Sequence, residues 1–382
     1  MSTVPAESLR VELLERIAEV DAGIDAWASL RLRFGDCRIA VRANNPALVT
    51  NLTRYYRDFL DRGKDFGSGD APDMTVTALE TDVWNPGLPW MAKQPDPGKT
   101  KIKEEYQDLP FEDGEGRFVR KRLTGMLFYF DRETHLAVGP CLANDNQVIN
   151  FINSRFIQWM LDRNSLLCHA AGVSLNGNGL ALAGFSGMGK STLALHIMRR
   201  GLDFVSNDRL LIQDAGLDPL QGGPIMHGVA KLPRVNPGTI LGNPSLSGLL
   251  DASQKEAYAR MEPDELWNLE HKHDVYLDEC FGQGKFLDSA RMVGLVILNW
   301  KPKYPRTSLE LVDLAQRPEL LDTVIKSPGL FFLSRPDVAY RFQPESYLDM
   351  FKKCTVFEAR GGVDFDHVAD ACVHYLGQQG EG

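Results

Sequence analysis

A lysine and two hydroxyl residues set behind three glycines are the part of this 382-residue chain best suited to chemistry. The stretch reads Gly184-Phe185-Ser186-Gly187-Met188-Gly189-Lys190-Ser191-Thr192. A glycine, four variable residues and then Gly-Lys-Ser is the spacing of a phosphate-binding loop. Glycines let the backbone turn tightly and bring its N–H groups close to phosphate oxygens. Lys190 would supply a mobile positive charge for terminal phosphates, and the Ser191 hydroxyl can complete the shell of a Mg2+ ion. A nucleotide, with Mg2+ on its phosphates, is therefore the expected ligand. The alternative is a glycine-rich turn before an ordinary helix, and the flanking elements speak against it.

Such a loop needs a strand before it and a helix after it. Residues 180–183 are an apolar run of strand length, and 191–200 read as a helix with Leu193, Ala194, Ile197 and Met198 on one face. Arg199 and Arg200 suit the last turn, and Gly201 suits the stop. The apolar runs 166–175 and 180–183 flank Asn176-Gly177-Asn178-Gly179, a hairpin signal. The strand feeding the loop is thus the second arm of a hairpin, which predicts a mixed sheet rather than the parallel sheet of ordinary doubly wound nucleotide-binding folds. After the helix, 203–213 reads as a strand interrupted by Ser206-Asn207-Asp208.

The rest of the chain sets the frame. Its length allows two or three domains, and 43% hydrophobic with 24% charged residues is globular composition. A net charge of −9 argues against a broad basic surface for nucleic acid. No apolar run reaches a membrane-spanning length, and residues 1–17 lack the apolar core of a signal peptide, so a cytoplasmic setting without a membrane partner is expected. The six cysteines are scattered, which suits reduced thiols. An α+β N-terminal domain is expected over 1–160, with a helix near 6–22, strands at 37–41 and 74–78, a helix from 46 to about 60, loop or edge structure over 84–116, strands at 125–130 and 135–138, and a helix to about 162. The second domain, 161–382, carries the loop. Its later elements are predicted as strands at 293–299 and 355–358 and helices near 318–327, 344–353 and 366–376.

Residues 166–213 resemble the catalytic domain of the HPr kinase/phosphorylase family, nearest to the branch called HPr kinase-related kinases, group B. The matching pieces are His169, the 176–179 turn, the loop 184–191, Arg200-Gly201, and a short strand ending in Asn207-Asp208. The resemblance implies the α/β fold shared with phosphoenolpyruvate carboxykinases, a mixed and strongly twisted sheet with the loop at one end. It also implies a kinase that moves the γ-phosphate of ATP to a hydroxyl acceptor, a protein serine or a small molecule, and a homo-oligomer. Asp208 would then serve the metal and the acceptor hydroxyl, with Ser191 as the other metal ligand, and His169 would steady the transferring phosphate. The family has two consecutive acids where this chain has Asn207 and Asp208. Asparagine can neither take nor give a proton, which argues against the family's reverse, phosphorylase reaction. The family's Glu-Val-Arg-Gly segment, source of another metal-ligating acid, has no clear counterpart, and the N-terminal region carries no resemblance of this kind.

Other residues leave alternatives open. His169 also fits a satisfied core histidine. The segment from His227 through Lys231 and Arg234 to Gly238 gathers cations and glycines, as either an acceptor clamp or a solvated loop. His271, His273 and Asp274 have metal-ligand composition but nonspecific spacing, and Asp278 or Glu279 are candidates for the missing metal acid. Phe151, Phe156 and Trp159 at helical spacing read as core. For the whole chain, the rival to a kinase is an ATP-gated binding module without net phosphoryl transfer. A carboxykinase-like enzyme is a third reading, without a matching ligand set.

Overall fold

A computed structural model describes residues 27–62, 71–95, 100–111, 114–214, 223–269, 271–301 and 304–379, with scattered positions between 8 and 19. The helix expected near 6–22 therefore falls mostly outside the described residues. The chain forms two compact units, Met1–Asp162 with Pro328–Val338, and Arg163–Ser327 with Ala339–Gly382. The excursion of 328–338 has no signal in the sequence. The fold is mixed α/β with large mixed sheets, and no helix among the described residues is long and apolar enough to cross a membrane.

In the first unit the strands are β1 (Ala28–Phe34), β2 (Cys37–Ala43), β3 (Met74–Glu80), β4 (Met91–Ala92), β5 (Glu104–Phe111), β6 (Gly114–Lys121), β7 (Leu127–Phe130) and β8 (His135–Gly139). They form one sheet in the order β1-β2-β3-β8-β7-β6-β5-β4. β3 runs parallel to β2 and β8, and the other pairs are antiparallel. Helix α1 (Pro46–Tyr55) makes the crossover from β2 to β3, as a parallel pair requires. It stops at Tyr55, short of the expected 60, and a 3₁₀ turn Arg57–Phe59 follows. Helix α2 (Asp145–Leu161) buries Phe151 and Phe156 as expected, while Trp159 stays half-buried and stacks on Phe156. The second face of the sheet is covered by Trp84 and Leu88, which pack with Phe118, Leu127 and Tyr129. The β5–β6 hairpin occupies much of the stretch expected to be loop or edge. Its cross-strand pairs, Glu104 with Lys121 and Glu105 with Arg120, give a strand whose charge hides the usual alternation.

The second unit holds β9 (Leu166–Cys168), β10 (Ala170–Leu175), β11 (Asn178–Gly184), β12 (Asp203–Ser206), β13 (Leu210–Asp214), β14 (Pro224–Gly228), β15 (Arg234–Val235), β16 (His273–Asp274), β17 (Ser289–Leu298), β18 (Thr307–Leu311) and β19 (Thr355–Gly361). Its helices are α3 (Lys190–Met198), α4 (Pro237–Gly242), α5 (Ala252–Ala259), α6 (Pro263–Asn268), α7 (Leu277–Phe281), α8 (Pro344–Phe351) and α9 (Phe365–Gln378). The main sheet runs β12-β10-β11-β17 and then forks. The first residues of β17 pair with β14, and the later ones pair with β19, which carries β18. β17 is parallel to β11 and β19, and the other pairs are antiparallel, so the sheet is mixed as the hairpin implied. The β10–β11 turn is tighter than expected. Leu175 pairs with Asn178, leaving Asn176 (φ 52°) and Gly177 (φ 82°) as a two-residue turn with both φ positive.

Both faces of this sheet are covered. Leu180 and Leu182 of β11 face a core with α3 and α9, whereas Ala181 and Ala183 face one with Tyr347, Met350 and Phe351 of α8. A strand buried on both sides reads as a continuous apolar run, as 180–183 does. The helix expected near 318–327 is only a 3₁₀ turn, Pro318–Thr323, and the closing helix forms as α9.

Candidate functional site

The loop leaves β11 at Gly184, exposes Phe185, Ser186 and Gly187, and enters α3 at Lys190. Gly189 is the helix N-cap in the left-handed region, with φ 87°. A Cβ at Gly189 would lie 2.7 Å from the ring of Phe365, so both conformation and space demand glycine. No side chain caps α3, and the first N–H groups of a helix have no partner within it. Those groups and the helix dipole favour an anion at this end. Lys190 is 7% exposed, and its Nζ donates to the carbonyls of Gly184 at 2.8 Å and Phe185 at 3.3 Å. Burial pushes its ammonium down to about 8; Arg209 and Lys326 add to the shift and Asp208 opposes it. Ser191 and Thr192 are half-buried in the first turn, and the Thr192 hydroxyl meets that of Thr239 at 2.8 Å.

Two chain breaks assemble the neighbouring chemistry. The run 166–175, expected as one strand, splits at His169, because β9 pairs with β13 while β10 pairs with β11 and β12. The run 203–213 splits at 207–209 in the same way, with Ser206 opposite Gly172 and Leu210 opposite Cys168. The two interruptions therefore face each other. There His169 Nε2 lies 3.0 Å from Asp208 Oδ1. Asp208 thus stands in a bend rather than on a strand.

Burial alone would raise the Asp208 carboxyl, but the His169 hydrogen bond, Arg209 and Lys231 together hold it well below the usual carboxylate range. Arg209 bonds its neighbour's carboxylate directly through Nη1. Burial also lowers the Lys231 ammonium, and Arg209 and Arg234 act in the same direction against Asp208 and Asp274. Asn207 is 8% exposed, and its Oδ1 is buried without a hydrogen-bond partner. An orphaned amide oxygen beside a carboxylate is unusual in a packed interior and is compatible with service to a ligand.

Of the residues singled out in the sequence, the structure brings Lys190, His169, Asp208 and Lys231 into one electrostatic neighbourhood. The 227–238 segment is not a solvated loop, since Val229, Ala230, Leu232 and Val235 are buried. Arg234 is held by Asp274 at 2.9 Å across β15–β16, and His227 sits within β14 between Leu211 and Ser289. The Tyr258 hydroxyl and His271 Nδ1 share a hydrogen bond of 2.6 Å, and the His271 ring stands 4.9 Å from that of His273. Among the described residues no group of three or more His, Cys, Asp or Glu converges, so neither His271 with His273 and Asp274 nor any other such cluster forms an all-protein metal cage. Asp278 and Glu279 lie in the first turn of α7. Sequence reading missed Arg209, whose place next to Asp208 was a usable signal, and Lys326, which had none.

No family model matches the chain, and no curated protein matches it. Among solved structures it is similar to the HPr(Ser) kinase/phosphatase from Coxiella burnetii, at 11% identity over 56% of this chain and 99% of that one, with a TM-score of 0.29. That likeness is distant.

Proposed function

We propose that this chain is an ATP-dependent phosphotransferase that passes the γ-phosphoryl group to a hydroxyl acceptor, a protein serine or a small molecule. Its second unit would carry the HPr kinase and carboxykinase type of sheet. The observation that carries the reading is the uncapped start of α3 behind Gly184–Gly189, with the buried Lys190 ammonium in the electrostatic neighbourhood of Asp208. Phosphoryl transfer depends mainly on positioning and charge neutralisation, and this arrangement supplies both. The acceptor oxygen forms a bond to the γ-phosphorus as the β–γ bridging bond breaks, and ADP leaves with that bond's electrons. In a loose transition state the acceptor gives up its proton late, to Asp208. His169 orients that carboxylate and steadies the moving group, while Lys190 neutralises the terminal phosphates.

Magnesium fits the donors present. Mg2+ takes hard oxygen ligands and needs only one or two carboxylates beside substrate phosphates. The Asp208 carboxylate and Ser191 hydroxyl would hold it, with the orphaned Asn207 Oδ1 as a further oxygen. Bound there, it would neutralise charge on the phosphates. Lys231, Arg234 and His227 border the acceptor side in this reading. A cytoplasmic setting, self-association, and the lack of nucleic-acid or membrane partners belong to the same proposal.

One observation favours the rival. Asp208 is engaged by both His169 and Arg209, and a carboxylate held so low is a weak base. An ATP-gated binding module would need no base at all. Incubation with γ-labelled ATP and fractionated cell extract decides. A kinase labels a protein or metabolite and loses that labelling in Lys190→Ala. Nucleotide-dependent capture of a partner without labelled acceptor would select the module.

A further inference from the structure

The geometry points to Trp300 as a positioning residue that presets one phosphate-facing amide of the loop. The inference rests on the phosphate-binding reading of 184–192 and goes beyond the residues of the loop itself.

Trp300 follows β17, whose Leu298 pairs with Gly184 at the start of the loop. The chain beyond stays in register with β19, through Asn299 N–H to the Ala359 carbonyl at 2.9 Å and Lys301 N–H to the Gly361 carbonyl at 2.8 Å. Trp300 is thus fixed on both sides. It is 1% exposed, and its indole Nε1–H donates to the Met188 carbonyl at 3.0 Å. The ring meets Phe365 edge to face, with centroids 5.0 Å apart, and Phe365 in turn abuts Gly189.

This bond settles the orientation of the Met188–Gly189 peptide. The peptide is trans, so its C=O and N–H point in opposite directions. With the Met188 oxygen drawn to the buried indole, the Gly189 N–H must point away from it, out of the core. A peptide next to a glycine at φ 87° has little intrinsic resistance to flipping. A flip would present a carbonyl oxygen to the phosphate where an N–H is needed. Other loop carbonyls are turned aside too. Lys190 holds those of Gly184 and Phe185, and the Met188 N–H is spent on the Phe185 carbonyl at 3.2 Å. Trp300 therefore keeps the peptide that leads into the N-cap glycine of α3 in an anion-binding sense before any ligand arrives.

Trp300→Phe in the full chain keeps an aromatic ring against Phe365 and removes only the donor. Calorimetry with MgATP and with magnesium pyrophosphate should show both weakened on the order of tenfold, the scale of one hydrogen bond to a charged group. The Gly189 amide proton should move downfield on MgATP addition in the unaltered chain and much less in the variant. Wild-type affinities in Trp300→Phe overturn the inference and leave the phosphate-binding reading intact. Weakened binding with an undiminished Gly189 shift also overturns it, because the loss is then general damage. An unaltered chain that binds neither ligand sinks the proposed function and this inference with it. Should Trp300→Phe fail to fold, hydrogen exchange at the Trp300 indole of the unaltered chain answers the question. Exchange should slow when MgATP saturates the protein, and an unchanged rate overturns the inference.

Discussion

The affinity for ATP should fall as pH rises through the titration of Lys190. Burial holds its ammonium at about 8 in the free chain, so about nine-tenths of it is charged at pH 7 and about one-tenth at pH 9. Phosphate oxygens with a second pKa near 6 are already ionised over that range and do not contribute. Only the charged form neutralises the terminal phosphates, and apparent affinity scales with the competent fraction. The dissociation constant should therefore rise about tenfold from pH 7 to pH 9, or about 1.4 kcal/mol. Binding above pH 8 must also take up a proton, because the phosphates pull the ammonium back to its charged state. Calorimetry at pH 7, 8 and 9, in two buffers of different ionisation heat, measures both quantities. Lys231 is lowered by burial too and would act with the same sign, so Lys231→Met separates its share. A dissociation constant that stays flat from pH 7 to 9 would refute the reasoning. So would a Lys190→Arg chain, which keeps its charge throughout, that shows the same decline.

Further outcomes follow from the same geometry. The Lys190 ammonium titrates lower in the folded chain than in the unfolded one, where it is near 10.5. The unfolded chain then holds more protons between about 8 and 10.5, so this group makes stability rise with pH across that window. Lys190→Met should abolish ATP binding while leaving stability at pH 7 unchanged or raised by up to about 3 kcal/mol in denaturant titration. Asp208→Asn removes the carboxylate that faces Lys190, Arg209 and Lys231; transfer should drop more than about 100-fold, with a larger effect on kcat than on ATP affinity, read by steady-state kinetics beside calorimetry. Gly189→Ala forces a Cβ at φ 87° against the Phe365 ring, so it should lower stability by about 1–3 kcal/mol and weaken ATP binding at least tenfold. Glu358 is 1% exposed between Arg317, Arg360 and Asn299, and Glu358→Ala should cost about 3 kcal/mol in chemical unfolding, limited because both guanidiniums stay partly in solvent.

The sequence made the loop legible because its chemistry is local. Glycines, lysine and hydroxyl must sit together, and the apolar runs beside them mark the strand and helix that hold them. The mixed sheet was legible for the same reason, since Asn176-Gly177 is a turn signal written in two residues. The His169–Asp208 pair was half legible. The residue types stand out, but 166–175 reads as one strand, because its break comes from long-range pairing with β12 and β13 rather than from any local breaker. The β5–β6 hairpin was missed because charged pairs across it replace the alternation of apolar residues. Trp300 and Phe365 could not have been linked to the loop, lying more than a hundred residues downstream. Only the ladder from β11 through β17 to β19 gathers them.

The most direct test of the account is a crystal structure of the full chain with Mg2+ and a non-hydrolysable ATP analogue. The account predicts terminal phosphates on the amides at the start of α3, with the Lys190 ammonium turned from the Gly184 and Phe185 carbonyls onto them and the metal touching Ser191 and Asp208. An analogue bound elsewhere, or crystals that take up none at saturating concentration, would contradict it.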